Sequence, residues 1–379
     1  MELLAQELLD AIIDHVPSPH AHSCSLVARR WRKRGQRRVF SDLKLVFSCE
    51  DDLIRWRKDI PQDPDGIPSY IRDVQFRGII TWSDPTILGR VLECLSRVKI
   101  LKISQTKLLR SEVPNIVSSG AFGRELTSLV FTSPRSTVPS FMPLISSSPN
   151  LRELTIEYRR VWRIAPKSLA PEHVWKREPL QSLKLFRLLR EEIEYIARCG
   201  IMSHDLDLYL GDPMIEKVVA CSSGIVEKLT LRGTWLLWDY TVWGVMLKNA
   251  SDRTRTGGLI PFTPLPPLLA LTTLEVILCT GILTSRLANF LSIVHSAPAL
   301  SSVVFRDLHC YTTEDLPLSH VWIDVDNGLA RLAMQVKTER SITVVLEGVA
   351  EENAELGEYF PEFRKTGGQI VMGKILRRL

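Results

Sequence analysis

The residues closest to a catalytic motif lie near the C-terminus. Gly368 to Lys374 read Gly-Gln-Ile-Val-Met-Gly-Lys, which contains the two glycines and the lysine of a phosphate-binding loop. That motif continues with a serine or threonine that binds magnesium, and Ile375 stands at this place. Only five residues follow Lys374, too few for the helix whose N-terminus must face the phosphate. We therefore do not predict nucleotide binding.

Histidines and a cysteine near the N-terminus are the nearest approach to a metal site. His15, His20, His22 and Cys24 lie close together, but their spacing matches no standard set of zinc ligands. The sequence also lacks a nucleophile elbow around a serine and a pair of zinc-type histidines on a helix. We predict polar loop histidines, no metal, no cofactor and no catalytic residue, and thus a protein that is not an enzyme.

The composition is that of a globular chain in a reducing compartment. Of the 379 residues 45% are hydrophobic and 24% charged, with a net charge of +5 that is small for this length. The seven cysteines are scattered and odd in number, which favours free thiols over a disulfide framework. Acidic residues in the first helix argue against a signal peptide, and prolines interrupt the least polar stretch. We expect an intracellular protein, cytoplasmic or nuclear, with no membrane span.

The first forty-six residues have the pattern of a small helical module. Leu4, Leu8, Ile12 and Val16 form an apolar stripe at helical spacing, with Leu9 and Ile13 beside it. The run Pro17-Ser18-Pro19 ends this helix, and a second helical stretch places Cys24, Val27 and Trp31 on one face. A module of this size cannot bury all its apolar residues and must pack against the rest of the chain or a partner.

These residues resemble the F-box, particularly as it occurs in fungal proteins. Glu7 and Leu8 match the opening of that motif, and Val27 and Trp31 match its Val-x-x-x-Trp core. The resemblance implies a three-helix module at 1–46 that binds a Skp-family adaptor of a cullin–RING ubiquitin ligase. The residues that would contact the adaptor are Leu4, Leu8, Ile12, Ile13, Leu26, Val27 and Trp31. Alternatively, the same residues only pack against the following domain and cap it.

A six-residue phrase, apolar-x-x-apolar-x-apolar, recurs along the rest of the chain. Its first occurrences begin at residues 71, 98, 126, 151 and 180, steps of 27, 28, 25 and 29 residues. Such a period is typical of leucine-rich repeats, in which each phrase is a short strand and stacked units share one core. We predict an α/β fold after a connector at 47–69. It is an irregular leucine-rich-repeat solenoid at 70–379, a parallel strand ladder with helices on its outer face and an inserted loop near 249–267.

The residues between the inward ones of each phrase form the open face of the predicted ladder. Its charges are of mixed sign, which suits a protein ligand better than a phosphate backbone. The predicted target-binding residues are Lys102, Glu157, Lys184, Phe186, Tyr209, Arg232 and Arg306. Each could equally be part of an ordinary solvated surface. An aromatic cluster follows one strand and fits either core packing or an interface: Trp235, Trp238, Tyr240 and Trp243.

By its resemblance to F-box proteins, the chain would bring a protein target held on the repeat surface to a ubiquitin ligase. Because Ala5 stands where the family usually carries proline, a second hypothesis is a repeat-based scaffold with a degenerate F-box. A third hypothesis rests on the basic run from Arg29 to Arg38, which is typical of a nucleic-acid or nuclear-import patch. A solvated helix face explains the same run.

Overall fold

The structure is a computed structural model of the full chain. It describes residues 6–27, 29–41, 43–60, 66–78, 86–105, 123–134, 137–158, 174–210, 212, 214–233, 264–277, 282–306, 319–336, 341–347, 349–350, 360–373 and 375–376. The chain divides into two compact units, Met1–Leu180 and Gln181–Leu379. Both are mixed α/β with parallel strands that follow one another in chain order. Among the described helices, none has the length and apolar character needed to cross a bilayer.

Three helices begin the first unit: α1 (Gln6–His15), α2 (Ser18–Val27) and α3 (Arg29–Ser41). α1 ends before Pro17, as predicted. The predicted second helical stretch is two helices, α2 and α3, on either side of residue 28. α3 packs against α1, against α2 and against the 3₁₀ helix Ile67–Tyr70 that precedes the second strand. The helices are therefore attached to the strand region of this unit through α3.

The first unit contains five parallel strands. They are β1 (Lys44–Phe47), β2 (Asp73–Arg77), β3 (Ile100–Ser104), β4 (Ser128–Thr132) and β5 (Glu153–Glu157). The segments between them contain α4 (Glu50–Asp59), α5 (Thr86–Cys94) and α6 (Val138–Ser147). Between β1 and β2, between β2 and β3, and between β4 and β5 the chain returns through a helix, which is the arrangement of a solenoid-like repeat.

The core of the first unit is built from the buried residues that alternate with more exposed ones along its strands. In β2, β3, β4 and β5, buried residues alternate with more exposed ones, because successive side chains of a strand point to opposite faces. Register then stacks the inward residues in one column, which contains Phe47, Phe76, Ile103, Phe131 and Ile156. The rings of Phe47 and Phe76 stack with centroids 5.3 Å apart, and those of Phe131 and Phe141 at 4.0 Å.

The second unit continues the same plan. Its strands are β6 (Leu180–Phe186), β7 (Ser203–Tyr209), β8 (Lys228–Arg232), β9 (Thr273–Ile277), β10 (Ser302–Arg306), β11 (Thr343–Leu346) and β13 (Gln369–Met372), with the short pair β12 (Val349–Ala350) and β14 (Ile375–Leu376). Its helices are α7 (Arg190–Cys199), α8 (Ile215–Cys221), α9 (Ile282–Ile293), α10 (Ser319–Gln335) and α11 (Pro361–Lys365). These elements lie on 181–379, within the predicted solenoid.

Aromatic packing and one buried carboxylate close the core near the end of the second unit. Phe305 on β10 lies 6.1 Å from Trp322 and 5.9 Å from Phe360, measured between ring centroids. Asp326 of α10 is buried and accepts hydrogen bonds from the backbone N–H groups of Glu362 and Phe363, at 2.9 and 2.8 Å. The carboxylate satisfies two of the free N–H groups at the start of α11 and so holds this short helix in place.

A left-handed residue follows four of the strands. Gly78, Gln105, Ser133 and Arg187 come directly after β2, β3, β4 and β6, with φ between 49° and 75°. In three of these turns the backbone N–H still donates to the next strand: Gly78 to Ser104, Gln105 to Thr132 and Ser133 to Glu157. The chain thus leaves the ladder at the same point of each of these repeats, without the asparagine that many leucine-rich repeats carry there.

The strand prediction is confirmed, since every phrase named above overlaps a strand, from β2 to β6. Several elements were missed, and three of them change a predicted boundary or motif. β1 crosses the predicted boundary at 46, α4 lies in the predicted connector, and β13 occupies part of the phosphate-loop-like run. Most of the predicted inserted loop, residues 249–263, and the aromatic cluster at 235–243 lie outside the described residues.

Candidate functional site

The first candidate surface is the outer face of α1. Leu8 and Ile12, one helical turn apart, are 55% and 51% exposed, although both are large apolar residues. Ile13 lies on the inner side of the same helix and is 1% exposed. The apolar residues of α1, which the sequence showed as one stripe, therefore divide between two surfaces. Ile13 faces the core of the module, and Leu8 and Ile12 face solvent.

These exposed residues line an open groove. Its volume is about 580 Å³, and its walls are Leu8, Ala11, Ile12, His15, Val16 and Pro17. Two of these residues, Val16 and Pro17, lie in the bend between α1, which stops at His15, and α2, which starts at Ser18. We call this the α1 groove. A groove lined almost entirely by apolar side chains on a short helical module has the character of a helix-binding surface.

The other predicted adaptor-contact residues differ in exposure. Leu26 on α2 is the most exposed of the set, at 69%. Trp31 is half-buried, and its indole N–H is buried without a hydrogen-bond acceptor among the described residues. Ile13 is internal and is not available to a partner in this structure, which corrects its prediction as a contact residue. Leu4 and the side chain of Val27 lie outside the described residues.

An ion pair fixes α1 on α3. The Arg34 guanidinium donates two hydrogen bonds to the Asp14 carboxylate, one from Nε to Oδ1 at 2.8 Å and one from Nη2 to Oδ2. The hydrogen bond from Arg34 lowers the pKa of Asp14, and burial opposes this only in part. Arg34 belongs to the basic run from Arg29 to Arg38, so at least this member of the run serves a contact within the helical module. Arg32 and Arg37 of the same helix are exposed.

The second candidate surface lies on the sheet of the second unit, at the carboxyl end of its strands. Arg232 ends β8, and its Nε and Nη2 donate to the two carboxylate oxygens of Asp207 on β7, at 2.6 and 2.7 Å. Its guanidinium also lies 5.8 Å from the ring centre of Phe186 on β6. A two-pronged ion pair and a ring beneath it hold this arginine in one orientation.

Glu275 on β9 is the centre of a second group of charges. Its carboxylate contacts the Lys228 ammonium at 2.8 Å and Arg306 Nε at 2.6 Å, and Arg306 Nε also lies 3.3 Å from Glu347. The Thr230 hydroxyl donates to the same carboxylate at 3.5 Å. Burial alone would raise the pKa of Glu275, but the Lys228 hydrogen bond and the surrounding cations hold it below its usual value.

The acids beneath these cations are buried, which the sequence did not predict. Asp207 and Thr230 lie between the inward residues of β7 and β8, positions that the repeat pattern assigns to the open face, yet they are 3% and 2% exposed, and Glu275 is 7% exposed. The long Arg232, Lys228 and Arg306 side chains lie against them. A neighbouring acid, Asp205, has one buried carboxylate oxygen without a partner among the described residues, and burial raises its pKa.

Of the seven predicted target-binding residues, five lie on strands of the second unit and two on the first. Phe186, Arg232 and Arg306 take part in the contacts above, whereas Lys184 and Tyr209 are half-buried beside them. In the first unit, Lys102 lies 3.4 Å from Asp73, and both side chains remain partly exposed. Glu157 ends β5 and is half-buried. The structure therefore concentrates the predicted residues on the second unit.

Cys199 and Cys221, the two cysteines of the second unit among the described residues, are poor nucleophiles. Burial raises the pKa of the Cys199 thiol to about 11 and also raises that of Cys221. The Cys221 thiol donates to the Ala197 carbonyl oxygen at 3.4 Å. Both thiols are therefore protonated near neutral pH, and their role is packing between α7 and α8.

Comparison with known proteins assigns this chain to no family. No family model matches the sequence. No curated protein shows significant similarity to it.

Proposed function

We propose that this chain is the substrate-recognition adaptor of a cullin–RING ubiquitin ligase. Its N-terminal helices would bind a Skp-family adaptor, and a protein target would be held on the repeat surface. The chemistry would belong to the ligase, with this chain contributing only the positioning of the target. No catalytic residue, metal or cofactor is part of this proposal.

The observation that carries the proposal is the α1 groove. Two large apolar side chains, Leu8 and Ile12, stand more than half exposed on a helix whose core-facing side already has a buried residue, Ile13. The core of the module therefore does not need them. Full burial of one such side chain is worth about 1.5–3 kcal/mol, so leaving two in water is unfavourable unless a partner covers them.

The resemblance of residues 1–46 to the F-box identifies the partner that would bind in the α1 groove as a Skp-family adaptor. Leu8 is one of the residues that match the motif, and it also lines the groove. Packing against the neighbouring repeats is a weaker explanation for these residues, because α3 packs against the 3₁₀ helix Ile67–Tyr70 while Leu8 and Ile12 of α1 stay more than half exposed. The capping hypothesis thus fits α3 better than it fits α1.

The test is co-purification of the full chain with a Skp-family adaptor, comparing the wild type with a Leu8→Asp, Ile12→Asp variant. Losing about 1.5 kcal/mol at each position would weaken binding by about a hundredfold. Both positions are exposed, so the variant should keep its fold, which circular dichroism checks. Ile54→Asp is the matched control, because Ile54 is similarly exposed, at 46%, but lies on α4 away from the groove lining.

Three outcomes separate the hypotheses. Binding by the wild type and Ile54→Asp but not by the double variant supports the proposal. Equal binding by all three proteins would place the contact elsewhere. Failure of the folded wild type to bind would favour the repeat-based scaffold with a degenerate F-box.

A further inference from the structure

We propose that the second unit binds an extended acidic protein segment across the carboxyl ends of its strands. The surface consists of Tyr209, Arg232, Ile277 and Arg306, which we call the arginine row. This inference deepens the proposed function, since it names the class of target that the repeat surface would hold. Only the biological role of this binding rests on the proposed function. The surface would bind an acidic segment whether or not the chain belongs to a ubiquitin ligase.

Register places the arginine row in one line. Tyr209 pairs with Arg232, Arg232 with Ile277, and Ile277 with Arg306 across β7, β8, β9 and β10. Neighbouring strands lie about 4.8 Å apart, so the two arginines are separated by about 10 Å with an apolar residue between them. Arginine and tyrosine are the residue types most often found at the energetic centre of protein interfaces.

The arginines are held in place before any ligand arrives. Arg232 has two hydrogen bonds to Asp207 and a ring contact with Phe186, and Arg306 contacts both Glu275 and Glu347. A side chain that is already ordered loses less entropy when a ligand binds. The contacts to Asp207 use Nε and Nη2 of Arg232, and those of Arg306 use Nε. Within the part of the chain that the structure describes, the other N–H groups of each guanidinium have no partner, and a carboxylate would bind to them.

The charges are arranged in layers, which determines the class of ligand. The side chains of Lys228, Arg232 and Arg306 are 44%, 43% and 48% exposed, whereas those of Asp207 and Glu275 are only 5% and 9% exposed. An approaching partner therefore meets these three cations, with the 37% exposed Glu347 beside Arg306, before it meets the buried acids beneath them. Because those acids balance the cations, attraction at long range is weak, and binding depends on direct two-pronged contacts with carboxylates. This favours an acidic peptide over a nucleic acid, whose affinity comes from uncompensated positive charge.

The spacing predicts a pattern in the ligand. An extended chain rises about 3.3 Å per residue, so a distance of about 10 Å spans about three residues. The flexible reach of the two arginines widens this, and we expect acidic residues about two to four positions apart. An apolar or aromatic residue nearby would pack on Ile277 or Tyr209.

The experiment is selection from a displayed library of random peptides on the full-length chain. The wild type is compared with Arg306→Gln, which leaves Glu275 paired with Lys228 at 2.8 Å and should therefore fold. Arg198→Gln is the matched control, because it removes the same charge from an exposed position on α7. The most enriched peptide is then synthesised with a fluorescent label, together with a version in which each Glu or Asp is replaced by its amide.

We expect the wild type and Arg198→Gln to enrich peptides with paired acidic residues, and Arg306→Gln to lose this enrichment. The labelled peptide should bind Arg306→Gln, and the amide peptide should bind the wild type, at least about tenfold more weakly. A second variant, Asp207→Asn with Arg232→Gln, keeps a polar pair and removes both charges, and it should show the same loss. Absence of acidic enrichment by the wild type, or enrichment unchanged in folded Arg306→Gln, would overturn the inference.

The two proposals fail separately. Arg306→Gln should still co-purify with the Skp-family adaptor, and the Leu8→Asp, Ile12→Asp variant should still select acidic peptides. Loss of adaptor binding with intact peptide selection would reject the proposed function and leave the acidic-segment surface standing.

Discussion

The two units have the same parallel architecture but treat charge on their sheets differently. Among the described residues of the first unit, an ion pair between neighbouring strands joins Lys102 and Asp73 at 3.4 Å, with side chains 33% and 24% exposed. In the second unit Asp207 and Glu275 are nearly buried beneath two arginines and a lysine, at distances of 2.6 to 2.8 Å. Similar ladders therefore carry a solvated face in one unit and an ordered, layered face in the other.

This difference between the two strand faces indicates which of them is better suited to bind a charged partner. A solvated ion pair is screened and contributes little, whereas a cation fixed over a buried acid is ordered and has a defined geometry. A fold of stacked repeats can change its surface charges without changing its core, because inward and outward residues alternate along each strand. Function in such a protein depends on the outward residues.

The largest expected effect is on stability, and it tests whether the cores of the two units contribute equally to it. Phe131→Ala in the first unit and Phe305→Ala in the second should each lower the free energy of unfolding by about 3–5 kcal/mol, because both rings are completely buried and contact other aromatic rings. Urea denaturation followed by circular dichroism measures this. Val46→Ala, at a position 43% exposed, is the control and should change little. A large loss for only one phenylalanine would show that the two cores are not equivalent.

The next effect tests the contrast between the two faces. Arg232→Ala leaves the Asp207 carboxylate buried without its cation and should lower the free energy of unfolding by about 3 kcal/mol. Lys102→Ala removes a partly exposed pair in the first unit and should cost less than about 1 kcal/mol. The same denaturation experiment compares them. Asp207→Asn added to Arg232→Ala should recover part of the loss, since no buried charge then remains. Equal losses for Arg232→Ala and Lys102→Ala would remove the distinction between the two faces.

The smallest effect concerns Asp205, whose pKa is raised by burial. A raised folded-state pKa contributes stability that is present below the ordinary aspartate pKa and is lost as pH rises through the folded value. Asp205→Asn should therefore stabilise the protein near pH 7, by less than about 1 kcal/mol, and have little effect near pH 3. Unfolding free energies at the two pH values measure this. Asp324→Asn, at an exposed position on α10, is the control. A stabilisation that is larger at the acidic pH would contradict the assignment.

Much of the repeat architecture could be predicted from local sequence. The phrases beginning at Val98, Leu126 and Leu151 lead into β3, β4 and β5, because the spacing of their apolar residues matches the alternation of a strand. β1 was missed because its four residues, Lys44–Phe47, are too few to show that pattern clearly. The left-handed Gln105 and Ser133 were also missed, since neither residue type indicates such a turn as glycine does.

The candidate surfaces could be predicted only in part. Leu8 and Ile12 were named from the apolar stripe of α1, but the same stripe included Ile13, which is buried. Helical spacing shows that residues share a side of the helix, and the packing of α3 decides which part of that side is covered. Arg232 and Arg306 were named as outward residues, but the ion pairs that order them were not predicted.

The sequence by itself determined the parallel strands, their inward residues and the outward positions of the charged ones, because the period of side chains along a strand is a local property. Only the tertiary structure decided that Asp207 would be buried under Arg232, and Glu275 under Lys228 and Arg306. These partners are far apart in the chain: 25 residues separate Asp207 from Arg232, and 47 residues separate Lys228 from Glu275. Which charges meet across a sheet depends on the lengths of the returns between strands and on their register, and no local pattern records either.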